Sequence, residues 1–417
     1  MKVFWSWQSD LPSKVSRSFV KDALTEAVAA VAIDLSLAEA DRPEVDHDTK
    51  DEPGLVEIVS TIFKKIEGAS VFVGDVTPVA KTDKGKLVPN PNVMIELGHA
   101  LKSLGHEKII LISNAAYGGG PEDLPFDLRH RRGPITFKLR PEDGPSRIAS
   151  QKGALVAALS DALRSNLGAA LAIKDAGATF PLYPAASSDC GTWLAPGEGI
   201  EHQSFFQDGG VASTWKVAEG PKAYLRVCPA RWSKEKPKRR VIQGAPAEVR
   251  VSAEGGYTSG DGGANSFGVV SVGLNGRAPG EVHAVTQWFD KSGEIWGFNS
   301  RISGSKDGRS QLSHYFILGF WAKLLRRSVL TLNHFGASVP FRVEAGVTGL
   351  DGLHWSSSGS NQALDGAMVH VSQGRDWSSQ AQVDFLADAY NILADAFNQP
   401  NLTREQARNI IAQTGGV

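Results

Sequence analysis

The chain of 417 residues has only two cysteines, Cys190 and Cys228. So few cysteines argue against a disulfide scaffold and against a zinc site with four cysteine ligands. His283, His314, His334 and His354 are scattered and do not have the spacing of metal ligands. The cysteines and these histidines therefore predict no metal site, and we expect no bound cofactor.

An excess of charge of one sign is also lacking, since 44 Lys and Arg residues balance 45 Asp and Glu residues. This balance does not favour nucleic acid or an anionic membrane as a partner. A basic cluster within residues 234–240 is interrupted by Glu235 and Pro237, which favours a solvated loop over a nucleic-acid patch.

Long hydrophobic runs are absent as well, and no apolar stretch approaches the ~20 residues of a membrane-spanning helix. The sequence opens directly on an apparent strand, Lys2-Val-Phe-Trp5, instead of the pattern of a signal peptide. We therefore expect a cytoplasmic protein without a membrane partner.

Strands and helices alternate in the first half of the chain, because apolar residues recur there with both periods. Continuous apolar strands separated by amphipathic helices indicate a parallel sheet covered on both faces. The sequence predicts an α/β fold, a flavodoxin-like doubly wound parallel sheet of five strands, in a first domain of residues 1–168. The predicted strands include residues 3–5, 69–75, 108–112 and 135–139, and a last helix is expected at 148–167.

The composition changes after residue 168. Residues 169–195 are rich in Ala, Gly, Pro and Ser, which predicts a linker. Short strands and two helices then predict a separate α+β domain rich in antiparallel strands at residues 196–417.

Within this second domain, Asp290-Lys-Ser-Gly293 separates two apolar runs and predicts a hairpin. The glycine-rich residues 254–264 predict a flexible loop, and Ser328-Val-Leu-Thr-Leu332 predicts a strand.

Glu96 is the most informative residue of the first domain. It follows Asn90-Pro-Asn92 in an apolar stretch that predicts a helix, and Asp75 ends the preceding strand. Open α/β sheets bind ligands beyond the carboxyl ends of their strands, so the two carboxylates predict a site for a sugar or a nucleotide. A carboxylate near a helix N-terminus also complements the helix dipole, and this second interpretation remains open for Glu96.

The segment 1–140 resembles a bacterial TIR (Toll/interleukin-1 receptor-like) domain. The matching segments, in chain order, are Val3-Phe-Trp-Ser-Trp-Gln-Ser-Asp10, Asp51-Glu-Pro-Gly54, Val71-Phe-Val-Gly-Asp-Val-Thr77, Asn90-Pro-Asn-Val-Met-Ile-Glu-Leu-Gly98, and Leu124-Pro-Phe-Asp-Leu128 followed by Arg131-Arg132. The combination of segments is more specific than any one of them. The resemblance does not extend to residues 190–417.

The resemblance implies an NAD⁺ glycohydrolase, with NAD⁺ as substrate and Glu96 as the catalytic carboxylate. Trp5 or Trp7 would stack on nicotinamide or adenine. Ser6, Gln8 and Ser9 would bind ribose or phosphate oxygens, and Asp75 and Asn92 would position Glu96 or a ribose hydroxyl. We expect one of Trp5 and Trp7, which lie at the end of the first strand, to be buried and the other exposed.

The resemblance also implies self-association, in which a loop at about residues 45–55 of one protomer completes the site of the next. On this hypothesis the second domain senses a trigger, such as a phage product, and promotes assembly, and NAD⁺ depletion then stops infection. Two other functions remain open. One is a nucleoside or nucleotide N-glycosyl hydrolase or transferase, which would also use a carboxylate at the sugar carbon. The other is a signalling scaffold without catalysis.

Overall fold

The computed structural model describes residues 1–35, 37, 41–47, 58–118, 133–195, 197–205, 212–232, 236–255, 259–274, 280–306, 308–356 and 361–414. The chain divides into two compact units, Met1–Gly177 and Ala178–Val417. No described helix combines the length and the apolar character needed to cross a membrane.

The N-terminal unit is built on a parallel sheet of five strands in the order β2-β1-β3-β6-β7, with a separate β4–β5 hairpin. Its strands are β1 Lys2–Ser6, β2 Glu44–Asp46, β3 Val71–Asp75, β4 Pro78–Lys81, β5 Leu87–Pro89, β6 Ile109–Asn114 and β7 Ile135–Phe137. Its helices are α1 Arg17–Asp34, α2 Ile58–Glu67, α3 Pro91–Ser103 and α4 Pro145–Ala176.

Alternate residues of the central strands enter two different cores. Val3 and Val73 pack in a cluster with residues of α1 and α4, whereas Phe4 and Phe72 pack in a cluster with residues of α2 and α3. Helices therefore cover both faces, as the continuous apolar strands predicted. The parallel strands and their order are those of a flavodoxin-like fold, which confirms the predicted fold of this unit.

The C-terminal unit is an α+β structure with mostly antiparallel strands, as predicted. Its strands are β8 Gly199–Ser204, β9 Ala212–Val217, β10 Lys222–Arg231, β11 Ser259–Ala264, β12 Gly268–Leu274, β13 Glu281–Phe289, β14 Ile295–Asn299, β15 Ser303–Lys306, β16 Arg309–Leu312, β17 Ser338–Thr348, β18 His354–Trp355 and β19 Ala367–Gly374. Its helices are α5 Arg239–Gln243, α6 His314–His334, α7 Ser379–Asp395 and α8 Arg404–Gln413.

Nine of these strands form one sheet in the order β12-β11-β8-β9-β13-β14-β10-β17-β19. Strand β12 also pairs with β13, so the first five strands close into a ring. The sheet then continues from β13 to β19. Helices α6, α7 and α8 supply residues to the large apolar cluster on one side of the sheet, and aromatic residues such as Trp193, Trp296 and Phe298 form a second cluster.

The predicted hairpin around Asp290-Lys-Ser-Gly293 is confirmed, because β13 pairs with β14 in antiparallel register. Gly293 has a φ of 76° in the turn, a left-handed conformation that glycine adopts without strain.

Two other predictions for this unit are wrong. The expected strand at 328–332 lies inside α6, where Ser328, Val329 and Leu332 continue the buried stripe of the helix.

The expected flexible loop at 254–264 contains β11 over its described residues 259–264. Glycine serves a packing purpose here, since a Cβ on Gly263 would lie 2.2 Å from the backbone oxygen of Gln203 in the neighbouring strand. The glycines of β11 therefore allow the neighbouring strand to approach closely, and they do not mark a flexible loop.

The expected linker at 169–195 contains regular and packed structure. Helix α4 continues to Ala176, nine residues beyond the predicted end at Leu167. Downstream, Tyr183 and Trp193 pack against the aromatic cluster of the C-terminal unit. The two units therefore meet in the chain at Gly177 and Ala178.

Candidate functional site

The carboxyl ends of β1 and β3 define the candidate site. These strands are adjacent and parallel, with Ser6 beside Gly74, and β2 lies on the other side of β1. The chain thus leaves β1 towards β2 on one side and later returns to β3 on the other side. Such a reversal of strand order opens a crevice at the carboxyl edge of a doubly wound sheet.

A buried hydrogen-bond network crosses this edge. The Gln8 amide nitrogen donates to Asp75 Oδ2 at 3.5 Å, and Thr77 donates to Asp75 Oδ1 from its backbone nitrogen at 3.0 Å and from its hydroxyl at 2.5 Å. The Thr77 hydroxyl in turn accepts from the backbone nitrogen of Asn114 at 2.8 Å. The network therefore joins the segments that follow β1 and β3 to the end of β6.

The Asn114 side chain completes the network at the end of β6. Its amide nitrogen donates to the carbonyl oxygens of Val15 and Leu139 at 3.1 and 2.8 Å. Its oxygen accepts from the backbone nitrogens of Ala116 and Leu139, each at 3.1 Å. A buried amide with these four bonds is well satisfied, so it holds three loops of this edge in place.

Asp75 is 1% exposed. Burial raises the pKa of its carboxyl above the usual 3.8, although the bonds from Thr77 and Gln8 act in the opposite direction. Removal from water disfavours the charged form of a carboxyl, whereas hydrogen bonds to the carboxylate favour it. Asp75 therefore organises the edge from within, and its burial leaves it no open side toward a ligand.

Helix α3 begins at the same edge. Asn90 caps the helix, because its side-chain oxygen accepts from the backbone nitrogens of Asn92 at 2.8 Å and Val93 at 3.3 Å. Its amide nitrogen donates to Asp10 Oδ2 at 2.7 Å. The loop after β1 is therefore tied to the start of the helix that carries Glu96.

Glu96 lies in α3, five residues after Pro91, which places it about 7.5 Å along the helix axis from that residue. Its side chain is half-buried. The neighbouring positions Val93, Leu97 and Ala100 form the buried stripe of the helix. Glu96 therefore lies at the border between this stripe and the solvent.

The structure brings several predicted site residues to one edge but exposes them to different degrees. Gln8 and Asp75 are in contact and buried, Trp7 is half-buried, and Ser9 and Asn92 are exposed. Trp5 and Ser6 are each 1% exposed.

The Trp5 ring packs 6.4 Å from the ring of Trp7 and 6.2 Å from that of His47, so of the two rings that the sequence offered for stacking, Trp7 is the partly accessible one. One member of the pair is thus buried and the other partly accessible, as expected, although strand alternation does not explain it, because residues two positions apart lie on the same face of a strand. The guanidinium of Arg17 lies 4.5 Å from the centre of the Trp7 ring, so a ligand that stacks on this ring must use its other face.

The sequence interpretation missed Asp10, Asn90, Thr77 and Asn114 as site residues. Asn90-Pro91 was a recognisable signal, because Asn favours the cap position and Pro the first helical turn. Asp75-Val-Thr77 was a second signal, since Asp accepts readily from the backbone two residues later. Asn114 carried no local signal.

Two cavities of the N-terminal unit are lined by described residues, and Glu96 is not among the lining residues of either, although its neighbour Leu97 lines one of them. One is lined by residues of α1 and of the β2 region, including Lys21, Ile33 and Arg42. Another is lined by residues around β6, including Leu101 and Ile109. The segments 48–57 and 119–132, which hold the matching segments Asp51–Gly54 and Leu124–Arg132 and most of the predicted loop 45–55, lie outside the described residues.

The described residues contain no group of three or more His, Cys, Asp or Glu side chains arranged to hold a metal ion.

Comparisons with known proteins add little to this description. No family model matches the chain, and no curated protein matches it significantly. A solved structure of a flavodoxin-like domain from Synechococcus sp. covers 42% of this chain and 99% of its own length, at 14% identity and a TM-score of 0.22. A TM-score this low supports no conclusion about function, and the flavodoxin-like assignment of the N-terminal unit rests on its own strand order.

Proposed function

We propose that the N-terminal unit is a TIR-like NAD⁺ glycohydrolase with Glu96 as its catalytic carboxylate. The observation that carries the proposal is the Asn90–Asp10 hydrogen bond of 2.7 Å. It ties the helix that carries Glu96 to the loop after β1, at the edge where doubly wound sheets bind nucleotides.

Cleavage of the bond between nicotinamide and ribose depends on a negatively charged carboxylate more than on a general acid. The bond between ribose C1′ and the nicotinamide nitrogen breaks, and the bonding electrons leave with nicotinamide as a neutral molecule. Positive charge develops on the ribose, and a nearby carboxylate stabilises it. Water then adds to C1′ and releases a proton, which gives ADP-ribose and nicotinamide. Glu96 would face the ribose in this reaction.

The other residues of the edge would bind or support the substrate. The free face of Trp7 would stack on nicotinamide or adenine, and the exposed Ser9 and Asn92 would contact ribose or phosphate oxygens. Gln8 and Asp75 would act indirectly, since their contact holds the loop after β1 in place. Ser6, whose buried hydroxyl has no hydrogen-bond partner among the described residues, would support the same loop.

In the cell, such an enzyme would act as an effector that depletes NAD⁺ during phage infection. We propose that the C-terminal unit responds to a trigger and promotes self-association of the chain, which activates the N-terminal unit. An assembly-dependent enzyme of this kind loses activity on dilution.

The direct test is product analysis after incubation of the full chain with NAD⁺ at several protein concentrations. Glu96→Gln should abolish release of nicotinamide, because the amide carries no charge to stabilise the ribosyl cation. Glu107→Gln is the matched control, since this glutamate is exposed in the turn before β6, at the opposite end of the sheet, and its variant should keep full activity.

The same assay separates the alternatives. Cleavage of nucleosides but not NAD⁺ would identify a nucleoside hydrolase or transferase. If Glu96→Gln still cleaves NAD⁺, Glu96 is not the catalytic carboxylate. If Glu96→Gln cleaves no substrate yet keeps every biological effect of the wild type, a scaffold function remains.

A further inference from the structure

We propose that β19, Ala367–Gly374, is a self-association surface on which two copies of this chain pair edge to edge in antiparallel register. Strand β19 would be the surface through which the self-association in the proposed function occurs. The proposal concerns oligomeric state alone, so it stands even if the chain does not cleave NAD⁺.

The position of β19 in the sheet is the first argument. At one end of the sheet, the pairing of β12 with β13 closes a ring, so those strands find partners on both sides. At the other end, β19 pairs with β17 along its whole length, from Phe341 beside Gly374 to Thr348 beside Ala367. Strand β19 is the last strand in the described order of this sheet, so its outer backbone groups form the open edge.

The composition of β19 is the second argument. Its sequence, Ala-Met-Val-His-Val-Ser-Gln-Gly, contains no Lys, Arg, Asp, Glu or Pro. Its register with β17 shows no bulge. Proteins usually protect an open edge with charges, prolines, bulges or short strands, and this eight-residue strand has none of these protections.

The edges of the N-terminal sheet provide an internal comparison. Strand β2 is three residues long and includes Glu44 and Asp46. Strand β7 is also three residues long, Ile135–Phe137. Both edge strands are short, and β2 also carries acidic side chains. Short strands and charged side chains are among the features by which natural proteins prevent edge-to-edge pairing. Compared with these two described edges, the edge of β19 is unprotected.

The side chains of β19 favour a second copy as the occupant. Val369 and Val371 are 49% and 39% exposed on one face of the strand. A two-fold axis through His370 pairs Val369 of each copy with Val371 of the other, which creates two cross-strand valine pairs. A symmetric pair of this kind is self-complementary and closes at two copies.

The test uses the full chain and measures its mass in solution by sedimentation over a range of concentrations. We expect wild type to form a dimer, and the double variant Val369→Lys/Val371→Lys to be monomeric, because like charges then face one another across the new strand pair. The control Val241→Lys/Leu330→Lys adds the same charge at exposed apolar positions of α5 and α6 and should dimerise as wild type does.

A cysteine cross-link tests the register. In a Cys190→Ser background, His370→Cys places two thiols opposite one another on the axis, where strand Cα atoms are about 4.5–5.5 Å apart, within disulfide range. Gln373→Cys places its two thiols six residue positions apart, roughly 20 Å, and should not cross-link. Monomeric wild type at all concentrations, or cross-linking that is equal for both variants, would overturn the proposal.

Discussion

Asn90 is bonded on both sides: its oxygen caps α3, and its nitrogen donates to the carboxylate of Asp10, which lies 80 residues earlier in the chain. A single amide thus fixes the start of the helix and the loop after β1 relative to one another. The two roles are separable by substitution, because only the cap requires a short side chain with an oxygen acceptor.

Asn90→Ala removes both roles, and we expect it to lower the free energy of unfolding by about 1 kcal/mol, the usual effect of losing an N-cap. Asn90→Ser is the matched variant, since serine caps a helix about as well but is too short to reach Asp10. Urea unfolding measures the stability, and hydrogen exchange at Asn92 and Val93 reports the cap. Equal losses for Ala and Ser at these two amides would show that the cap contributes nothing.

The buried carboxyl of Asp75 predicts a pH-dependent stability. Its pKa is raised in the folded chain, so the folded state holds this proton more tightly than the unfolded state does. The group's contribution to stability is therefore most favourable below its usual pKa of 3.8 and declines as the pH rises through the raised value.

Asp75→Asn removes this titration and keeps an oxygen to accept from Thr77. We expect the variant to gain stability relative to wild type as the pH rises from acid to neutral, as measured by urea unfolding at each pH. Asp83→Asn, which changes an exposed carboxyl between β4 and β5, is the control. A constant or shrinking difference between Asp75→Asn and wild type would contradict the assigned direction.

Local sequence patterns predicted those parts of the fold that depend on neighbours in the chain. The stripes of apolar residues gave the helices that cover the sheet, and Asp290–Gly293 gave the hairpin. Strand β2 was missed because Glu44-Val45-Asp46 is short and polar, and it is a strand only because Lys2 and Val3 pair with it.

The two wrong predictions for the C-terminal unit have one cause, contacts between residues that are far apart in the sequence. Ser328–Leu332 has strand-forming residues, yet it remains helical because Val329 and Leu332 complete the apolar cluster on the sheet. Tertiary packing overrides the local preference in such a case. The glycines of β11 did not predict a strand, because glycine is favoured there by the close approach of Gln203 to Gly263, a contact between residues distant in the sequence.

The sequence predicted that the segments carrying Asp75 and Glu96 lie near one another at the edge of the sheet, but it did not predict the contacts at this edge. Asp75 was identified because it ends a strand, and Glu96 because it follows Asn90-Pro-Asn92 in a predicted helix. The contact between Gln8 and Asp75 joins residues 67 positions apart, and no local pattern specifies such a pair. The exposure of each aromatic residue also depends on packing, and for this reason the sequence did not distinguish Trp5, which is buried, from Trp7, which is partly accessible.

Trp5 and Trp7 should respond differently to truncation, if the proposed function holds. Trp5→Ala should lower stability by about 3–5 kcal/mol, because it empties a buried site. Trp7→Ala should fold well but raise the KM for NAD⁺, since it removes the half-buried ring on which the substrate would stack. Arg17→Ala is the control for the covered face of Trp7. An unchanged KM in Trp7→Ala would exclude this ring from substrate binding.

The buried pair of Arg226 and Glu294 holds the beginning of the C-terminal unit. Arg226 Nε donates to Glu294 Oε1 at 2.7 Å, and its guanidinium lies 3.8 Å from the centre of the Trp296 ring. Both side chains also bind the backbone of Tyr183: Glu294 accepts from its nitrogen and Arg226 donates to its oxygen, each at 2.6 Å. Removing either partner leaves the other charge buried without compensation.

We therefore expect Arg226→Met or Glu294→Gln to lower the free energy of unfolding of the C-terminal unit by about 3–5 kcal/mol. The double variant should lose less than the sum of the two, because no charge is then left unpaired. Tryptophan fluorescence in urea follows this unit, since eight of the ten tryptophans lie in it. Faster proteolysis near Tyr183 should accompany each single change. Breaking the exposed pair of Arg404 and Asp388 should cost about 0–1 kcal/mol, and a similarly small cost at Arg226 would show that this pair does not hold the segment.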